Sequence, residues 1–302
     1  MSPVALDFDD SARGVASAST LTRRTCAVPA NQTSVAFLDG ERGEPVVFLH
    51  ASASSGNQWR KIADTLDVRY RPILIDLYGY GETPQWRHRR PMLLADEARL
   101  VHAVLDRLGQ SAHIIGHSYG GAVALRAAAD RPERVRSLTL IEPVAFHLLR
   151  MSPARDGDFL EVYGLAREVG RLVVANRPDD AMRVFIDYWS GKGTWEAMRP
   201  ERRGALAAAA TKVASDFRAA IGEDRMPSEY RRFPFASLIV AGTCSPGPTR
   251  SIAGLLAGIL PQAAMATIEA AGHMAPLSHG AEVAALIDQH LSSLEPALRR
   301  CA

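Results

Sequence analysis

Gly116-His117-Ser118-Tyr119-Gly120, followed by Gly121, is the stretch that most restricts what this chain can fold into. It joins an apolar run, Ala112 to Ile115, to an alanine-rich run, Ala122 to Ala129. The first predicts a buried strand and the second a helix. A chain that passes from strand to helix over so few residues must turn sharply, and its central residue is forced into a strained backbone conformation. Glycine at 116 and 120 fits that demand, because a side chain at either position would collide with the neighbouring strand or helix. The serine hydroxyl is then held above the sheet edge, at a helix N-terminus whose dipole favours negative charge. Ser118 is therefore a candidate nucleophile.

The same alternation recurs on both sides. Short strands are expected at Thr25 to Ala30 and Ser34 to Leu38, and buried ones at Pro45 to Leu49, Ile73 to Ile75 and Val135 to Ile141. Helical spacing runs from Asn57 to Leu66 and, after Pro91, through Leu94, Ala98, Val101, Leu105 and Leu108 to a closing Gly109. From Phe146 to Arg232 no convincing strand occurs, and the stretch is aromatic: Phe159, Tyr163, Phe185, Tyr188, Trp189, Trp195, Phe217. A strand at Ser237 to Ala241 resumes the sheet. A helix from Thr249 to Leu260, a strand from Ala264 to Glu269 and a helix from Ala281 to Leu294 complete it. The pattern predicts an α/β protein with a mostly parallel, doubly wound sheet. Its expected organisation is an N-terminal arm over 1–32, partly ordered, a core from 33–145 and 233–302, and a helical insertion over 146–232.

Composition excludes more than it assigns. With 302 residues, 47% of them hydrophobic, the chain has material for a sizeable core. A net charge of +2 gives no footprint for nucleic acid, and Trp86-Arg87-His88-Arg89-Arg90 reads as a solvated loop. No apolar run reaches membrane-spanning length, so no membrane partner is expected. The N-terminus is acidic at Asp7, Asp9 and Asp10 and does not read as a signal peptide. Cys26, Cys244 and Cys301 form neither a metal spacing nor a disulfide framework. A reducing, cytoplasmic setting is the expectation, and Cys244 reads as a small buried hydrophobe.

Four motifs in order give the chain a family resemblance: His50-Ala51-Ser52, Asp76-x-x-Gly79-x-Gly81, the serine turn at Ser118, and Gly272-His273. From about Ser34 to Leu294 the chain resembles the α/β-hydrolase family, in its serine esterase and lipase-like branch with a helical cap. The resemblance implies the α/β-hydrolase fold, with 146–232 as the cap, and His273 as the base that takes the Ser118 proton. It implies oxyanion donors in the backbone N–H groups of Tyr119 and Ser52. The family usually has His-Gly where this chain has His50-Ala51, so the loop backbone is expected to differ. The Ser52 hydroxyl is either a third donor or a loop hydrogen bond. His50 is expected to brace the loop, His117 to pack beside the serine, and His279 to be an exposed or capping residue at the start of the last helix.

The acid departs from the family's commonest pattern. The loop Gly242-Thr243-Cys244-Ser245-Pro246-Gly247 holds no carboxylate. Some members carry the acid one strand earlier, and the matching position is Glu142. A glutamate ending an apolar strand is costly to bury without a partner. A Ser118–His273 dyad oriented by water or Ser245, or an acid at Glu269 or Asp76, remains open. The expected activity is hydrolysis of a small-molecule carboxylic ester through an acyl-enzyme, with no metal or cofactor implied. Carbon–carbon bond hydrolysis, acyl transfer and a non-catalytic binding role stand as alternatives.

Overall fold

The inner strands of the sheet read as apolar on both faces because they are covered on both. The computed structural model describes residues 21–294. Eight strands form one sheet, in the order β1-β2-β4-β3-β5-β6-β7-β8. They are β1 Thr22–Val28, β2 Thr33–Asp39, β3 Glu44–Leu49, β4 Tyr70–Ile75, β5 Ala112–His117, β6 Val135–Ile141, β7 Ala236–Gly242 and β8 Ala263–Ile268. The pairs β1·β2 and β2·β4 are antiparallel; from β4 to β8 every pair is parallel.

Side chains alternate across the sheet with period two. On β3, Val47 and Leu49 join one core cluster, while Val46 and Phe48 join the other. Against the first face pack α1 (Leu94–Leu108), α2 (Tyr119–Asp130) and α6 (Gly247–Ile259); against the second pack α7 (Gly280–Ser293) and the Trp59 turn. Between β6 and β7 the chain is helical, with α3 (Asp156–Val174), α4 (Pro178–Ser190) and α5 (Ala210–Ile221) as its longer elements. This stretch coincides with the aromatic, strand-free segment of the sequence.

Two elements differ from expectation. The helix read over Asn57 to Leu66 is a 3₁₀ turn, Gly56–Trp59, followed by one short turn, Arg60–Ala63. The Thr65 hydroxyl donates to the Ile62 carbonyl at 2.8 Å, an acceptor that a continuing α-helix needs. The stretch read as an N-terminal arm, 1–32, supplies β1, whose register runs from Thr22↔Asp39 to Val28↔Thr33, so its second part is the edge of the sheet. The first part of the arm and Cys301 lie outside the described residues.

Candidate active site

The parallel strands end on one edge, and the residues singled out in the sequence leave the sheet there. Ser118 follows β5 with φ +54° and ψ −117°, a conformation that non-glycine residues rarely adopt. The neighbouring glycines are steric necessities. A Cβ on Gly116 would lie 2.3 Å from the Gly120 carbonyl oxygen, and one on Gly120 would lie 2.3 Å from that of Leu49. The turn is pinned by the Ser118 N–H donating to the Ile141 carbonyl at 3.0 Å, while the Ser118 carbonyl accepts from Gly121, Ala122 and Val144.

His273 lies in the loop after β8 with Nε2 2.9 Å from Ser118 Oγ and Nδ1 3.2 Å from Glu142 Oε2. With Nδ1–H donated to the carboxylate, Nε2 is the acceptor of the serine hydroxyl. Glu142 follows β6, fully buried, at φ +49°. Its Oε1 accepts from the Gly242 N–H and the Ser245 hydroxyl, both at 2.6 Å. Burial pushes this carboxyl up, but the hydrogen bonds from His273, Ser245 and Gly242 and the His273 charge outweigh it and hold the pKa below the usual value. Ser245 therefore touches the glutamate, not the imidazole. Asp76 is occupied by Arg23 and the N–H groups of Gly56 and Glu82, and Glu269 is exposed beside Thr243.

Buried histidines and a glutamine hold the backbone of these loops. His117 Nε2–H donates to the His273 carbonyl at 2.8 Å, and its Nδ1 accepts from Gln58 Nε2 at 3.0 Å. Gln58 Oε1 accepts from the Ala51 N–H at 3.1 Å, so one side chain ties the His50 loop to His117. His50 donates from Nδ1 to the Ala51 carbonyl and accepts the Leu77 N–H at Nε2. Burial pulls His117 down to about 3 and His50 to about 4, so both are neutral at pH 7. His279 is the N-cap of α7.

In the His50-Ala51-Ser52 loop, Ala51 keeps an ordinary backbone and the positive φ falls on Ala53, at +57°. Neither the Ser52 nor the Tyr119 N–H has an acceptor among the described residues, and both residues line one cavity with Ser118. The Ser52 hydroxyl donates to Asp216 Oδ2 at 2.7 Å, so its proton belongs to a hydrogen bond with the helical insertion.

That cavity, about 20 Å³, is bordered by Phe146, Phe185, Trp189, Phe217 and Asp216. A second, about 40 Å³, meets it at Ser118, Phe185 and Trp189 and extends past Ile186, Met198 and Leu206. Each has room for a water or two, not for an acyl chain. The Trp189 ring lies 4.1 Å from the His273 ring, centroid to centroid. Trp195 lines neither cavity and is buried within the insertion.

Sequence reasoning missed a buried charged cluster behind this wall. Lys212, at 4% side-chain exposure, donates to Glu97 Oε1 at 3.0 Å and to Asp216 Oδ1. The signal was present: Lys212 and Asp216 stand with Val213, Phe217 and Ala220 on the buried face of α5, where charge is out of place. Cys244, expected buried, is exposed, because the loop turns its Ser245 inward onto Glu142 instead. Among the described residues no group of three or more His, Cys, Asp or Glu is arranged to hold a metal, and no helix is long and apolar enough to cross a membrane.

Comparison with known proteins adds to the geometry. A family model described as the alpha/beta hydrolase fold matches residues 44–280. The dihydrolipoyllysine-residue acetyltransferase component of the acetoin cleaving system of Pseudomonas putida is 40% identical over 105 residues, 34% of this chain and 28% of that protein. The 2-hydroxy-6-oxo-6-phenylhexa-2,4-dienoate hydrolase of Comamonas testosteroni is 32% identical over 118 residues, 35% of this chain and 39% of that protein. The chain thus spans well under half the length of these curated relatives. Among solved structures, a thermophilic esterase from Thermogutta terrifontis superposes with a TM-score of 0.70 at 22% identity, covering 91% of this chain and 99% of that one.

Proposed function

The chain belongs to the α/β-hydrolase family, and from that premise we propose that it is a serine hydrolase cleaving carboxylic esters of small to medium apolar substrates through an acyl-enzyme. The observation that carries this reading is the unbroken path from Glu142 through His273 to Ser118 Oγ, with steps of 3.2 and 2.9 Å. A serine hydroxyl is a poor nucleophile at neutral pH without such a base.

In this reading Ser118 Oγ attacks the ester carbonyl carbon while its proton passes to His273 Nε2. Glu142 holds the imidazole in the tautomer that can accept it and stabilises the imidazolium that forms. The developing oxyanion is met by the N–H groups of Ser52 and Tyr119. His273 returns the proton to the leaving alkoxide, and the alcohol departs. Water then attacks the acyl-enzyme by the same steps in reverse, His273 taking its proton and returning it to Ser118. The apolar cavity walls favour apolar acyl groups, and the segment 146–232 acts as a cap over them.

One observation favours a second reading. A match to a protein named as a dienoate hydrolase raises carbon–carbon bond hydrolysis, for which the same serine, base and oxyanion donors would serve. One measurement tests both readings and a second separates them. A fluorophosphonate probe should label the protein, and Ser118→Ala should abolish the label; an unlabelled, folded wild type would defeat both. Probe-free wild-type enzyme assayed on p-nitrophenyl esters of graded chain length and on a vinylogous diketone should turn over the esters faster. The opposite preference would replace the ester reading by the carbon–carbon one.

A further inference from the structure

The cluster around Lys212 is expensive. Glu97 and Asp216 are both buried, and burial pushes their carboxyls up despite the ammonium between them. Replacing such a buried group by apolar side chains is often neutral or stabilising, so stability alone is a weak reason to keep it. Its contacts suggest another. Asp216 Oδ2 accepts from the Ser52 hydroxyl at 2.7 Å and from the Tyr80 hydroxyl at 2.6 Å. Ser52, the residue before the strained Ala53, is thus tied to the cluster. On the other side the Lys212 ammonium sits 4.9 Å from the centre of the Tyr119 ring and 4.5 Å from that of Tyr80. Glu97 Oε2 accepts the Tyr78 N–H at 3.1 Å, and α1 carries it.

Ser52 and Tyr119 both line the cavity at Ser118, and neither N–H has an acceptor among the described residues. They lie 67 residues apart in sequence and share no hydrogen bond with each other. What they share is the cluster on α5. We propose that Asp216 and Lys212 are positioning residues of the oxyanion hole: through one buried ion cluster, the helical insertion fixes the Ser52 loop and the Tyr119 end of α2 at the spacing the tetrahedral intermediate needs. This rests on the serine-hydrolase reading above. It makes the insertion part of the catalytic geometry and not only a wall for the substrate. It also gives the Ser52 hydroxyl its task, since a proton committed to Asp216 is not offered to the oxyanion.

The test uses the full chain, p-nitrophenyl butyrate and phenylboronic acid, whose tetrahedral serine adduct places an oxygen where the oxyanion forms. Ser52→Ala keeps the N–H and leaves the ion cluster intact, so the fold is retained. Its kcat should fall about tenfold, part of the roughly 10² to 10³ that losing a donor outright costs. KM should change less than about twofold, and boronate affinity should weaken in parallel with kcat, as transition-state binding requires. Ser52→Thr should recover most of both. Asp216→Asn should lower kcat further, but in the Ser52→Ala background it should cost less than in the wild type, because the two act through one bond. Ser52→Ala with wild-type kcat and boronate affinity overturns the proposal, as do losses that simply multiply. If Asp216→Asn does not fold, the Ser52→Ala and Ser52→Thr pair decides. Absence of fluorophosphonate labelling in the wild type removes the parent reading and this one with it, whereas labelling with an unaffected Ser52→Ala removes this one alone.

Discussion

At the scale of single residues, Glu142 bears the sharpest prediction. Its two oxygens have different work: Oε1 takes the Gly242 N–H and the Ser245 hydroxyl, and Oε2 takes His273 Nδ1–H. In Glu142→Gln the amide oxygen satisfies the first pair of donors, which turns the NH₂ toward His273. The imidazole must then accept at Nδ1 and carry its proton on Nε2, the wrong tautomer for deprotonating Ser118. The expected loss is about 10³ to 10⁴ in kcat, the size seen for this change in a serine triad. Ser245→Ala removes one donor from a carboxylate that keeps two others, so about tenfold or less is expected. Steady-state kinetics on both variants check this. A glutamine variant with near-wild-type kcat beside a crippled Ser245→Ala would move the orienting role from Glu142 to Ser245. Glu142 was legible because a charge closing an apolar strand demands a partner. Ser118 was legible because sterics leave glycine as the only residue that fits at 116 and 120. Gln58 was not legible: nothing local marks a glutamine that bonds Ala51 on one side and His117 on the other.

At the scale of elements, periodicity carried most of the core. Strands β3 to β8 and helices α1, α2, α6 and α7 fall within a few residues of where apolar spacing put them. The errors are local competitions, as where the Thr65 hydroxyl takes the carbonyl that would have prolonged a helix. Helices of the insertion were legible as helices, but not their docking. That is decided by partners more than a hundred residues away, such as Glu97 for Lys212 and Ser52 for Asp216. Trp189 and Trp195 illustrate the limit: both are aromatic, both lie in the insertion, and only Trp189 on α4 reaches the cavities and the His273 ring. Because the cavities are smaller than an acyl chain, α4 and its aromatics set how much room a substrate finds. Trp189→Ala is therefore expected to raise the octanoate-to-acetate ratio of kcat/KM on p-nitrophenyl esters, by about fivefold or more given the side chain's size. Trp195→Ala should leave the ratio within about twofold while lowering the Tm, since truncating a buried tryptophan costs about 3 to 5 kcal/mol. Equal ratios in both variants would separate α4 from acyl selection.

At the scale of the whole molecule, the buried histidines set how stability responds to acid. Burial pulls His117 and His147 down to about 3, and His50 and His290 to about 4. They sit in different parts of the fold: in the turn at Ser118, in the insertion, after β3 and on α7. For a base whose pKa is lowered by folding, both states are neutral above the unfolded value of about 6.5, and the contribution to stability is complete there. Below it the unfolded chain takes up a proton that the folded chain refuses. Stability is then lost as pH falls toward the folded value. Between pH 7.5 and 5.5 each such group removes about 1.4 kcal/mol, and the four together about 5 kcal/mol. The depressed Glu142 carboxyl acts in a separate window, holding its contribution above its unfolded pKa and losing it as pH falls further. Glu97 and Asp216, raised by burial, have the opposite sign and gain as pH falls, so they reduce the loss. Urea unfolding at the two pH values measures the difference, and His290→Gln isolates one share of it, because His290 sits on α7 away from Ser118. That variant should show a pH-dependent loss smaller than the wild type's by about 1.4 kcal/mol. An unchanged difference would mean that His290 is protonated inside the folded protein, with the α7 packing opened to water around it.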